Sequence, residues 1–194
     1  MKEVTTEKIE KNWAMFEKLC SKISDKGVDN LINTLGERIV MSPSAPKESD
    51  PGCFPGGLIQ ISLDTTITMK NLNSSLGFDL PMDSIIKVGL LHDIGKIGDE
   101  TEPLFIDQDS DWHREKLGQH YKYSETISKM STSHRTLYLL QKFGVSLSSD
   151  EWLAIQLAQG SHFEENRFYV GSEPTLGLLL QQSKSIVAHK SRNK

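Results

Sequence analysis

Apolar residues recur at three- and four-residue steps through most of this chain, a period that predicts helices. Ile9, Trp13, Phe16, Cys20 and Ile23 form one amphipathic stripe, with Gly27 placed to end that helix. A shorter helix is expected from about Asp29 to Ile39. Pro43, Pro46, Pro51 and Pro55, with Gly52, interrupt the period and predict a loop from Ser42 to Pro55. Gly56-Gly57 then opens a helix carrying Leu58, Ile61, Thr65, Met69, Leu72 and Leu76 on one side. Pro81 marks the next helix start, and Ile85, Ile86, Val88, Leu90 and Leu91 give that helix a strongly apolar body, which Gly95 is suited to end.

The pattern lapses from Gly98 to Ser131. This stretch is polar and irregular, with room for short strands and with Trp112, Tyr121 and Tyr123 as expected anchors. A segment of that length inside a compact domain is usually functional, or a lid. Helical spacing returns at Leu137 and Leu140. Ser148-Ser149-Asp150-Glu151 reads as a capping box opening a helix with Trp152, Ile155 and Leu157, and Trp152 and Trp13 are expected in the core. Pro174 begins a last helix with Leu176, Leu179, Leu180, Ser183 and Val187 along one face. These elements predict an all-α fold, a compact helical array forming one domain over 1–194, with 1–39 as its N-terminal helices.

Composition narrows the function classes. A chain of 194 residues with 37% hydrophobic and 25% charged positions is large enough for a real core. A net charge of −4 argues against general nucleic-acid binding. No apolar run reaches the length of a membrane span, and the first seven residues lack the apolar centre of a signal peptide. Cys20 and Cys53 stand in unlike settings, as reduced thiols of a cytoplasmic protein would. There is no Walker-type glycine loop, no Cys-His zinc spacing and no nucleophile elbow.

The chemistry gathers at Leu90-Leu91-His92-Asp93-Ile94-Gly95-Lys96. An imidazole beside a carboxylate at the end of a rigid helix offers two metal ligands at one point. A buried hydrogen-bonded pair stabilising the helix junction fits the same residues. Lys96, three residues on, could hold a phosphate as a point charge or simply be solvated near a helix C-terminus.

With Gly56-Gly57-Leu58-Ile59-Gln60-Ile61-Ser62-Leu63 upstream and Glu151-Trp152-Leu153-Ala154-Ile155 downstream, the chain resembles the HD superfamily of metal-dependent phosphohydrolases. The resemblance is to its small phage and bacterial members and covers roughly residues 40 to 190. It implies an HD-like helical array with a long irregular insertion after the His-Asp helix. It also implies a metal held by a His after the glycine pair, by the His-Asp pair, and by an Asp on the last helix. Here Ile61 stands at the first of these positions and Ser183-Lys184 at the Ala-Asp position. Ala158-Gln159-Gly160 lacks the His that many members carry before that glycine. One imidazole and one carboxylate hold an ion weakly. The expectation is therefore either no cofactor or a single weakly held Mn, Fe, Zn or Mg ion. Lys184 is expected to pair with Asp93, replacing the charge of the ion by a charge from the chain.

Other residues could rebuild a site. His113 and Arg114 in the long insertion could grip a phosphate or steady developing charge beside Lys96. His134 and Arg135 open the Leu137 helix near its positive end, a natural anion site. His162 follows Gly160, close to the lost ligand position, and His120 is a further candidate. For each histidine taken singly, a surface or structural role is the better reading; together they leave room for an anion- or nucleotide-binding cleft. Three functions stay open. One is a degenerate HD-like protein that binds a nucleotide, another phosphate-containing ligand or a protein partner. The second is an active phosphohydrolase with a rearranged metal site, and the third is a purely structural or interaction protein. Homo-oligomers are compatible with all three.

Overall fold

The computed structural model describes residues 4–160 and 163–193. The expected all-α class is observed: eight α-helices among the described residues, with one two-stranded sheet. Helix α1 spans Thr6–Cys20 and α2 Lys26–Met41. Gly27 does not end α1. It lies in the first turn of α2, where Asp25 caps its N–H at 2.8 Å, and a Cβ there would sit 2.4 Å from the backbone of Gly144 and Val145. The helix boundary thus comes from an aspartate cap rather than from the glycine.

Helix α3 (Gly57–Leu76) begins at the glycine pair as expected. Gly56 has φ 79°, and a Cβ on Gly57 would lie 2.0 Å from the Gly52 carbonyl oxygen. The proline-bearing loop therefore folds back onto the start of α3, an approach only glycine permits. Helix α4 (Met82–Leu91) is the centre of the molecule. Ile85, Val88, Leu90 and Leu91 are fully buried, and α4 packs against α1, α3, α7 and α8. A helix apolar nearly all round is stable only when enclosed in this way. Helices α6 (Thr132–Lys142), α7 (Ser149–Gln156) and α8 (Thr175–Arg192) close the array.

The insertion is more ordered than its sequence suggests. Strands β1 (Phe105–Asp107) and β2 (Tyr121–Tyr123) pair antiparallel, Phe105 opposite Tyr123, with the short helix α5 (Asp111–Leu117) between them. The Pro46 carbonyl accepts from the His120 and Tyr121 N–H groups, tying the insertion to the proline-bearing loop. Tyr121 is the buried anchor, whereas Trp112 and Tyr123 are both 58% exposed. Trp152 is also largely exposed, while Trp13 packs against the core.

Candidate functional site

Helix α4 ends at Leu91, and His92 to Ile97 turn sharply beneath α6. The turn is keyed at Gly95. Its N–H donates to Thr136 Oγ1 at 2.9 Å, and an added Cβ would meet the Thr136 nitrogen at 2.6 Å. Thr136 Oγ1 in turn donates to the His92 carbonyl at 3.2 Å. The glycine expected to end the helix therefore lets α6 press on the turn and fix its direction. Three side chains leave this turn with defined roles: His92 inward, Asp93 and Lys96 toward a cleft.

Asp93 is 2% exposed and collects three donors. Lys184 Nζ, from α8, lies 3.0 Å from Oδ1, and Gln159 Nε2 donates to the same oxygen at 2.9 Å. Lys96 Nζ lies 2.8 Å from Oδ2 and also donates to Ser44 Oγ at 3.1 Å. Burial by itself would push the Asp93 carboxyl up. Lys184 and then Lys96 outweigh it and hold the group well below the usual carboxylate range. Lys184 is drawn below the ordinary lysine value, first by burial, while Asp93 opposes that shift.

His92 is fully buried and its pKa falls to about 4, chiefly through desolvation. The ring is therefore neutral at physiological pH. Nδ1–H donates to the Gly89 carbonyl at 2.9 Å, which leaves Nε2 as a lone pair without a hydrogen-bond partner, 3.7 Å from Asp93 Oδ2.

The resemblance to HD proteins implies a divalent metal at this pair, and the residues present do not fit one. Both Asp93 oxygens are engaged by ammonium groups, so an ion on either oxygen would face a like charge. Ile61 lines the cleft with hydrocarbon where the family pattern has a ligand. Among the described residues no group of three or more His, Cys, Asp or Glu is arranged to hold an ion. Lys184 occupies the carboxylate's coordination space as an ion would.

The cleft has a volume near 730 Å³. Ser44, Ile61, Asp93, Lys96, Gln159 and Lys184 line it, with Leu104 and Tyr123 of the insertion forming one wall. Arg192 and Asp50 also border it as an ion pair at 3.8 Å. His92, Asp93, Lys96 and Lys184 are thus brought together. His113 and Arg114 are not. They lie on α5, where His113 Nδ1 meets Ser110 Oγ at 2.8 Å and Arg114 is bound to Asp111 and to the Gln108 carbonyl. Neither lines the cleft, so they are not in place to steady charge beside Lys96. His120 pairs with Glu48 at 3.1 Å on the surface. His134 is exposed on α6, and Arg135 is buried in the wall of an adjoining cavity. His162 lies outside the described residues.

Two members of the cluster escape sequence reading, Gln159 and Ser44. Gln159 had a signal: it stands before Gly160, where many HD proteins carry histidine. Ser44 had none, since only the folding of the proline-bearing loop brings it to Lys96. Compared with known proteins, the chain matches no family model, no curated protein and no solved structure.

Proposed function

We propose that this chain is a degenerate HD-like protein that binds a phosphate-bearing ligand in the Asp93 cleft without hydrolysing it, with Lys184 in the place of the metal. One observation carries the reading: a buried carboxylate is held by two ammonium groups rather than one. With His92 neutral, the cluster of Asp93, Lys96 and Lys184 has one positive charge in excess. Each ammonium has three N–H donors. Lys184 spends one on Asp93, and Lys96 spends two, on Asp93 and Ser44. The spare donors and the spare charge face a cleft of nucleotide size, which is the chemistry of an anion site.

Hydrolysis lacks an agent in this arrangement. Asp93 is ionised, but both oxygens already accept hydrogen bonds, and His92 is buried away from the cleft. Neither is free to take a proton from water. The unpartnered Nε2 of His92 is the one observation that favours a second reading, an active enzyme whose ion displaces Lys184. Elemental analysis of protein purified without chelator, then titration with Mn²⁺, Fe²⁺, Zn²⁺ and Ni²⁺, decides between them. The binding reading expects no stoichiometric metal, and calorimetric binding of phosphate monoesters in EDTA that Lys184→Met weakens about tenfold. Stoichiometric metal that disappears in Asp93→Ala would establish the enzyme instead.

A further inference from the structure

A second cavity of about 900 Å³ adjoins the cleft, with Leu104, Tyr123, Thr132 and Gln159 lining both. Its walls are largely apolar, from Leu104, Ile127, Met130 and Phe163. Set into that surface are three buried polar side chains, each with an atom that has no hydrogen-bond partner: Ser133 Oγ, Arg135 Nε and Gln156 Oε1. Ser133 and Arg135 are each 2% exposed. Buried polar atoms are ordinarily paired, so three unpaired ones on a single cavity wall need an explanation.

Arg135 is the sharpest case. Its guanidinium donates to the Ser128 carbonyl at 2.5 Å and makes no ion pair among the described residues. Burial draws its pKa down, and the charge of Asp99 opposes this. The other buried charged side chains, Asp93 and Glu151, are both paired. A buried charge without a partner is costly, and a guanidinium presents a planar fork suited to a carboxylate. Ser133 lies in the first turn of α6, whose free N–H groups add to the positive field.

We propose that this cavity is a second ligand site, for a small organic acid with an apolar body. Its carboxylate meets Arg135 and the first turn of α6, its body lies against Ile127, Met130 and Phe163, and an N–H or O–H group of the ligand donates to Gln156 Oε1. A monoanion balances the single buried charge. At the exposed rim Lys129 stands against Glu125 and Glu165, so with Arg135 the whole lining is neutral; a monoanion leaves it one negative charge in excess and a phosphate dianion two. The site stands apart from the phosphate reading of the Asp93 cleft and does not depend on it.

Calorimetric titration with 3-(indol-3-yl)propanoate and with its primary amide tests the proposal. The acid is expected to bind at least tenfold more tightly than the amide. Arg135→Lys, which keeps the charge and loses the fork, is expected to weaken the acid at least fivefold. Met130→Trp, at a half-exposed position on the cavity wall, is expected to block it with Arg135 in place. Lys184→Met is expected to leave the acid's affinity unchanged. The proposal is overturned if acid and amide bind alike, if the preference survives Met130→Trp, or if Lys184→Met removes it, which would move the acid to the first cleft.

Discussion

Glu151 and Asp93 are both buried carboxylates, 4% and 2% exposed, and both are fully hydrogen-bonded. Their partners differ in charge. Glu151 accepts from the Ser148 N–H at 2.9 Å in the capping box of α7, from Ser84 Oγ at 2.8 Å, and from one ammonium, Lys87, at 3.2 Å. One negative charge meets one positive charge, and the result fastens α7 to α4. Asp93 meets two ammonium groups, and the excess faces a cleft of about 730 Å³. A balanced cluster has nothing left to offer a ligand. An overbalanced one beside a cavity does, and charge balance rather than burial separates the joint from the candidate site.

The largest effect expected from this contrast is on stability alone. Glu151→Ala removes the reciprocal cap and leaves Lys87 unpaired, so it should cost about 3–5 kcal/mol. Affinity for phosphate should stay at the wild-type value. Urea denaturation and calorimetry measure the two quantities, and a loss of phosphate binding in the folded variant would break the comparison. Next comes the acid limb of the stability curve. The His92 pKa is about 4 when folded and 6.5 in its unperturbed state. Between these values the unfolded chain binds more protons, so stability falls as pH drops from about 6.5 toward 4, by roughly 3 kcal/mol. Asp93, with its folded pKa depressed, adds a further loss only below about pH 4. His92→Asn keeps a donor for the Gly89 carbonyl and should flatten the limb above pH 4. An unchanged limb would mean that His92 is charged in the folded protein.

Much of this was legible in the residues. The capping box is visible because Ser148 and Glu151 stand at the spacing that reciprocal capping requires, and the structure has both bonds. The pairing of Lys184 with Asp93 was expected from the resemblance, which sets Lys184 where the family pattern has its last carboxylate; that Lys96 pairs with the same group was not read from the sequence. Periodicity failed where a specific bond outranked hydrophobicity. Trp152 reads as core, but the inward face of α7 belongs to Glu151, Ala154 and Ile155, because the cap and Lys87 hold Glu151 inside. Helix α5 was hidden because no residue of it is buried; Ser110 caps it, and it carries no apolar stripe to announce it. The Arg135 site was half visible. The helix start marked an anion site, but that Arg135 is buried with no ion pair among the described residues is a property of the folded cavity.

A smaller effect sharpens the comparison from the other side. Asp93→Asn keeps the shape of the cluster and removes its negative charge, leaving Lys96 and Lys184 to repel each other. Because both ammonium groups are partly exposed, at 18% and 20%, water relieves part of that repulsion and the cost should be about 2 kcal/mol. An added anion can then take the place of the carboxylate. Inorganic phosphate should raise the melting temperature of Asp93→Asn more than that of the wild type, since a ligand that binds only the folded state stabilises it in proportion to its affinity. Lys184→Met should do the reverse, weakening phosphate about tenfold, or about 1.4 kcal/mol, with little change in stability. If phosphate raises the melting temperature of Asp93→Asn no more than that of the wild type, the ammonium pair exists only to neutralise Asp93, and the cleft is as closed to ligands as the Glu151 joint.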